Sequence, residues 1–118
     1  MHVSFFAKKI DKRLINIEQQ LLLSLQRALL GEVNYNLRSI GVDWDEKTES
    51  IFLFFYFDGE LTSKNTSSAN CVAGELSGDF QPTVQVIEKC IRVDAPKSLP
   101  NHKLIAYRRK EFVEPSKS

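Results

Sequence analysis

The stretch Ile51-Phe52-Leu53-Phe54-Phe55-Tyr56-Phe57 is the most strongly patterned segment of this 118-residue chain. Its length and its aromatic content predict a β-strand, because such side chains pack well on a pleated sheet. Successive side chains of a strand point to opposite faces. The odd-numbered side chains can therefore meet helices, whereas Phe52, Phe54 and Tyr56 on the other face need a covering tail, a second subunit or a partner.

The residues before this segment predict a second strand paired with it as a hairpin. Ile40, Val42 and Trp44 alternate with small or polar residues, which indicates a half-buried strand. Residues 45–49 are polar and have the length of a hairpin connector. We expect helices to pack on the face that carries the three apolar side chains of this strand.

Two segments predict helices. Apolar residues recur at spacings of three and four over residues 11–30, with Asp11 placed as the N-cap and Gly31 near the C-cap. Residues 62–79 predict a second helix, with Thr62 or Ser63 as its capping residue.

The rest of the chain predicts two further strands. One spans Val84 to Val93, where the apolar alternation changes phase and indicates a bulge between Val86 and Ile91. A short last strand follows around Leu104. The fold class is therefore α+β in the order α-β-β-α-β-β, a two-layer domain with an antiparallel sheet of about four strands covered on one face by two helices. A single domain is predicted over residues 1–113, and residues 114–118 are predicted to be frayed.

Several classes of protein find no support in the sequence. No apolar run approaches the roughly 20 residues that span a bilayer. Cys71 and Cys90 are the only cysteines and are expected to be reduced, so the predicted compartment is the cytoplasm. No metal-ligand or phosphate-loop spacing occurs, and His102 is expected in an exposed loop, so neither a cofactor nor an enzymatic activity is predicted. A small enzyme that uses Asp43, Asp45 or His102 remains a lesser alternative.

Charge is unevenly distributed along the chain. The net charge is +1, yet residues 31–80 carry three basic and nine acidic side chains, and both flanking segments are basic. An acidic block of this kind is either a solvated face or a surface that attracts a basic partner. Neither a membrane nor nucleic acid is the expected partner.

Nucleic-acid binding is nevertheless the main alternative function. The aromatic strand and the basic run Arg108-Arg109-Lys110 together suggest a stacking platform beside a positive surface. The aromatic strand, however, lacks the basic residue, glycine and spaced aromatics of an RNA-recognition strand, and the acidic block would repel phosphate.

Several stretches of the chain between residues 27 and 111 resemble the immunity proteins of bacterial contact-dependent growth inhibition systems. One departure is that residues 62–70 are rich in serine, threonine and asparagine, whereas this segment is acidic in the family. The stretches that carry the resemblance are Arg27-Ala28-Leu29-Leu30-Gly31-Glu32-Val33, Asn36-Leu37-Arg38, Val42-Asp43-Trp44-Asp45, Tyr56-Phe57-Asp58-Gly59-Glu60, Cys90-Ile91-Arg92-Val93-Asp94-Ala95-Pro96 and Tyr107-Arg108-Arg109-Lys110-Glu111.

This resemblance implies a non-enzymatic cytoplasmic protein that binds and neutralises one cognate toxin domain delivered by a neighbouring cell. Such toxins are often nucleases, whose active sites are basic, so an acidic inhibitor would gain fast, steered association. We expect the recognition surface to surround the first hairpin, with Tyr56 as an aromatic anchor. The predicted partner-binding residues are Asp43, Asp45, Glu46, Glu49, Tyr56, Asp58 and Glu60.

Overall fold

A computed structural model describes residues 16–111 of the chain. The predicted Asp11 cap and the predicted frayed tail at residues 114–118 lie outside the described residues. Within them the elements are α1 (Ile17–Ala28), β1 (Leu37–Asp45), β2 (Ser50–Phe57), α2 (Ser63–Gly78), β3 (Gln85–Arg92) and β4 (Leu104–Arg108).

Both helices begin with reciprocal capping. At the start of α1 the Asn16 side chain accepts from the backbone N–H of Gln19, whose side chain accepts in turn from the Asn16 N–H. Thr62 and Asn65 form the same pair at the start of α2, so of the two predicted caps Thr62 takes this position and Ser63 is the first helical residue. Each pair satisfies two of the backbone N–H groups that a helix start leaves without a partner. Two polar side chains of the segment that begins at Thr62 thus act as the capping groups of α2.

The sheet is mixed, which corrects the prediction of an antiparallel one. Its spatial order is β3-β2-β1-β4, and β1 pairs antiparallel with both β2 and β4. β2 and β3, in contrast, are parallel neighbours. The reason is that α2 connects them as a crossover: a helix that returns the chain along the sheet lets the next strand run in the same direction as the first.

Both helices pack on one face of the sheet, as predicted. The side chains of Ile40 and Val42 on β1 are fully buried there together with those of Leu21 on α1 and Val72 on α2. The odd-numbered residues of β2 lie on the same face and Trp44 is packed at its edge. The fully buried side chains of this core include Leu21, Leu25, Ile40, Val42, Ile51, Leu53, Val72 and Leu76.

The predicted bulge in the third strand is not present. β3 pairs with β2 residue by residue from Gln85 to Arg92 with no register shift. Val86 and Cys90 pack against the core, whereas Ile87 is 36% exposed. The change of phase in the sequence therefore reflects apolar residues on both faces of a regular strand.

The connection between β3 and β4 crosses the face of the sheet that the helices leave open. β3 and β4 lie at opposite edges and run in the same direction, so residues 93–103 must pass over β2 and β1. The ring of His102 stacks on Phe54 with centroids 4.7 Å apart. A loop of the same domain therefore covers Phe54 and Tyr56, the face whose cover the sequence left open between a tail, a second subunit and a partner.

Candidate functional site

The turn between β1 and β2 carries three of the predicted partner-binding carboxylates. Asp45 and Glu46 are exposed, and Glu49 is half-buried with a φ of 52°. The backbone N–H of Lys47 donates to Asp45 Oδ1 at 2.9 Å and folds the turn back on itself. Among residues 16–111 none of these three carboxylates forms an ion pair. We call Asp45, Glu46 and Glu49 the acidic turn.

A basic side chain borders the acidic turn. Lys103 Nζ donates to the backbone carbonyl of Trp44 at 2.8 Å and lies 5.0 Å from the centroid of the Trp44 ring. These two contacts hold the ammonium group beside β1, where it has a carbonyl and an aromatic face as partners. Within residues 16–111 the ammonium group of Lys103 therefore forms no ion pair with the acidic turn.

Asp43 and Tyr56 occupy a different place, beneath the β3–β4 connection. Asp43 Oδ2 lies 2.8 Å from His102 Nδ1, and Asp43 Oδ1 accepts from the backbone N–H of Lys103 at 2.8 Å. Tyr56 is only 3% exposed, and its hydroxyl lies 2.6 Å from His102 Nε2. Tyr56 therefore bridges strand and loop and is not positioned as an anchor for a partner.

The chemistry of this arrangement assigns the protons. Burial disfavours the ionised form of Asp43, yet the bonds from Lys103 and His102 outweigh it and hold the pKa of Asp43 below its ordinary range. An ionised carboxylate only accepts, so His102 Nδ1 carries the proton and, in the neutral ring, Nε2 accepts from the Tyr56 hydroxyl. Burial, and then the nearby charge of Asp43, raise the pKa of Tyr56, which keeps that hydroxyl a donor.

His102 itself differs from the sequence-based expectation of an exposed loop residue. Its side chain is 6% exposed. It lies over Gly41, where a β-carbon would overlap the imidazole ring. The absence of a side chain at Gly41 is thus what lets the ring approach the strand, and the alternation of β1 alone gave no sign of this contact.

Asp58 and Glu60 lie at the opposite end of β2 from the acidic turn. The eight residues of β2 separate the two ends, a distance of about 25 Å at roughly 3.3 Å per residue. Asp58 accepts from Arg109 Nη2 at 3.2 Å and from the backbone N–H of Ala95 at 3.3 Å. Glu60 is exposed. Asp58 therefore connects the end of β2 to two later segments of the chain.

A buried arginine organises this end of the sheet. Arg38 is 3% exposed, and its Nε and Nη2 donate to the two carboxylate oxygens of Glu111 at 2.7 and 2.9 Å. Its Nη1 donates to the carbonyls of Val93 and Lys97. The bond from Arg38 and then the one from Arg109 outweigh burial and lower the pKa of Glu111 from 4.5 to about 2. The network fastens the start of the β3–β4 connection to β1.

Only the middle residue of the basic run, Arg109, takes part in the same network. Arg109 donates to Asp58 and Glu111, and its Nη1 donates to the carbonyl of Tyr35. Arg108 and Lys110 are exposed. The middle member of the run is therefore occupied by contacts within the chain.

The seven predicted residues thus lie in separate places and not on a single surface around the hairpin, and their role in binding stays a prediction. Asp45, Glu46 and Glu49 lie together in the turn, the first two exposed and Glu49 half-buried, whereas Asp43 and Asp58 have partners within the chain. Glu60 lies at the far end of the sheet. The physical reason is that a strand of this length carries its two ends far apart, and the returning loop occupies the face between them. The contacts of Arg38 and His102 were missed because they depend on where that loop crosses.

Two further properties limit the chemistry available. Within residues 16–111 no group of three histidine, cysteine, aspartate or glutamate side chains is placed to hold a metal ion. No helix in that part of the chain has the length and apolar character needed to span a membrane.

Comparison with known proteins gives one result. A family model described as MafI2 immunity protein matches residues 18–111. This range includes every strand, all of α2 and all but the first residue of α1. A comparison with curated proteins finds no match.

Proposed function

The chain belongs to the MafI2 immunity protein family, and on that premise we propose that it binds a cognate toxin domain and neutralises it by direct contact. The family itself implies toxin immunity and a cognate toxin as the partner. The observation that carries the proposal is the match over residues 18–111, because this range includes the whole sheet and the acidic turn. The proposed place of action is the cytoplasm, with the toxin delivered by a neighbouring cell through contact-dependent growth inhibition.

The proposed toxin is a nuclease, and the proposed first contact is the acidic turn. A nuclease must attract the phosphates of its substrate, so the surface around its active site is basic. Asp45 and Glu46 are exposed and, like Glu49, have no ion-pair partner within residues 16–111. Complementary charge speeds the encounter of two proteins and disfavours wrong partners. Glu60, Asp43 and Asp58 are further proposed contacts, the last two only if the toxin displaces their present partners. Tyr56 would act through the His102 loop.

Inhibition is proposed to be stoichiometric binding and not a chemical reaction on the toxin. The donors and acceptors around His102 satisfy one another, and Tyr56 beside them is buried. A substrate has no access to side chains enclosed in this way, so we assign His102 and Tyr56 a role in holding the loop and not in catalysis.

The experiment is a titration of the toxin domain encoded next to the gene for this chain. We expect toxin activity to fall linearly to zero at one equivalent of the chain, and a one-to-one complex to elute together in gel filtration. Co-expression of the chain should restore the growth of cells that produce the toxin domain. Loss of toxin activity at a small fraction of one equivalent would indicate a catalytic mechanism, and no complex at micromolar concentrations would contradict the proposed function.

A further inference from the structure

The outer edge of β3 presents backbone groups that no other strand in the described part of the chain uses. Gln85 N–H donates to the carbonyl of Glu49, and Val93 N–H donates to that of Phe57, each at 2.9 Å. In a strand the backbone groups of alternate residues point to opposite sides. The residues whose N–H and C=O groups point away from β2 are therefore Val86, Glu88, Cys90 and Arg92.

This edge is long and regular, unlike the other edge of the sheet. β3 has eight residues and pairs with β2 without a register shift, whereas β4 has five and an irregular pairing with β1. Proteins commonly protect edges by shortening or kinking the strand, because a straight edge pairs readily with another chain. Ile87, 36% exposed, and its neighbour Phe52 add apolar surface beside the β3 edge. The β3 edge therefore has both the backbone and the side chains that an added strand needs.

Glu88, in the middle of this edge, has one carboxylate oxygen without a partner. Its Oε2 atom is buried and accepts no hydrogen bond from the described part of the chain. Burial also raises the pKa of the Glu88 carboxyl. A lysine or arginine from a bound strand would supply the missing donor and favour the ionised form.

A second copy of this chain is a poor occupant of the edge. Two identical strands related by a two-fold axis pair antiparallel. Hydrogen bonds form only where an outward-pointing residue of one strand lies opposite an outward-pointing residue of the other. Because these residues alternate along β3, the axis must then lie at a residue, which faces its own copy. An axis through Glu88 places Glu88 opposite Glu88, and an axis through Lys89 places Lys89 opposite Lys89. Like charges directly opposite each other destabilise a strand pair. Axes nearer the ends of β3 pair fewer residues, so the registers that use most of the edge are the ones that charge disfavours.

We propose that the cognate toxin adds a β-strand to the outer edge of β3 and places a basic side chain against Glu88. This inference rests on the proposed function, since it names the surface through which the toxin is bound. Strand addition takes affinity from backbone hydrogen bonds and specificity from alternate side chains. The edge begins beside Glu49, so a partner attracted by the acidic turn arrives at the start of β3.

Hydrogen exchange of the β3 amides tests the proposal on the unaltered chain. In the free chain the amides of Val86, Glu88 and Cys90 should exchange fast, while those of Ile87 and Lys89 should be protected by β2. On addition of the toxin domain encoded next to the gene, the outward amides should slow by about tenfold or more. The alternation along one strand supplies an internal control, because a general stabilisation would slow both sets.

Two variants test the backbone and the charge separately. Cys90→Pro removes an outward N–H without removing a bond to β2 and should weaken toxin binding by about tenfold. Glu88→Gln should also weaken binding by about tenfold, while the free chain stays at least as stable because a desolvated carboxyl is gone. The matched control is Glu18→Gln on α1, a helix that packs on α2 and β4. The affinity of this variant for the toxin domain should be unchanged. If Cys90→Pro lowers the melting temperature, its weaker binding could come from unfolding. The exchange experiment and Glu88→Gln then decide whether the toxin binds at the β3 edge.

The outcomes separate this inference from the proposed function. A tight complex in which the outward amides stay unprotected, or in which Glu88→Gln binds as well as Glu18→Gln, overturns the strand addition and leaves the proposed function intact. Protection of the outward amides that rises with the concentration of the chain alone shows that a second copy occupies the edge, which also overturns it. Absence of any complex with the toxin domain contradicts both.

Discussion

His102 Nδ1 lies 2.8 Å from Asp43 Oδ2, and this contact fastens the β3–β4 connection to the face of the sheet opposite the helices. The same ring meets the Tyr56 hydroxyl through its other nitrogen. One histidine from a loop thereby joins two neighbouring strands, so the stability of the domain and the position of the loop depend on it.

Replacing His102 with alanine should lower the free energy of unfolding by about 2–4 kcal/mol, because the stack on Phe54 and two hydrogen bonds are lost together. Urea denaturation followed by tryptophan fluorescence measures the change. Asn101→Ala, at the exposed neighbouring position, should change the stability by less than about 0.5 kcal/mol. Equal stability of the two variants would show that the loop is held elsewhere.

Substitution of Gly41 tests the close approach of the ring to β1. Gly41→Ala should cost about 1–3 kcal/mol, because the new methyl group overlaps the His102 ring. The cost should shrink in a background that already carries His102→Ala, which a double-mutant cycle measures. The control is Gly74→Ala in α2, where an added β-carbon meets nothing within 4 Å. It should stabilise the chain by about 0.5–1 kcal/mol through helix propensity. Additive effects at Gly41 and His102 would contradict the contact.

Glu111 gives the fold an acid-sensitive component. Its pKa falls from 4.5 to about 2 on folding, chiefly through Arg38. Because the pKa is lower in the folded state, ionised Glu111 stabilises the fold at any pH above the pKa of this carboxyl in the unfolded chain. This contribution disappears as the pH falls from 4.5 to about 2. Unfolding measured across this range should therefore show a loss of stability.

The Glu111→Gln variant isolates this effect. The change should cost about 2–3 kcal/mol near neutral pH, since the buried Arg38 guanidinium loses its carboxylate, and it should flatten the dependence on acid pH. Glu60→Gln removes an exposed carboxylate from the same end of the sheet and should keep the wild-type profile. A profile for Glu111→Gln that matches wild type would exclude the pair as its source.

Charge reversal on the acidic turn tests its part in binding. Asp45→Lys combined with Glu46→Lys should slow association with the toxin domain by about tenfold and reduce the dependence of that rate on salt. Stopped-flow or surface-plasmon measurements at several salt concentrations give the rates. Glu32→Lys combined with Glu75→Lys changes the net charge by the same amount, at two residues that line a cleft formed by α2 and the end of α1, and should have a smaller effect. Equal slowing by both pairs would attribute steering to net charge alone.

Local pattern was sufficient for most individual elements. The apolar run predicted β2. The three- and four-residue spacing predicted α1, although this helix begins after its Asn16 cap and not at residue 11. Thr62, one of two predicted candidates, was confirmed as the cap of α2. The helix-covered face was also right, because side-chain alternation depends only on neighbouring residues. The resemblance is confirmed at the level of an immunity protein, and its assignment to contact-dependent growth inhibition stays a proposal.

The sequence by itself determined where the helices and strands lie to within a few residues, which side chains of the helix-covered face enter the core, and to which class of protein the chain belongs. Only the tertiary structure decided that β3 lies parallel to β2, that the following loop crosses the open face, and that Asp43, Tyr56 and Asp58 take partners inside the chain. The physical reason is the separation along the chain over which each kind of interaction acts. Propensity and alternation act over a few neighbouring residues, whereas strand pairing and the burial of His102 join residues that lie tens of positions apart.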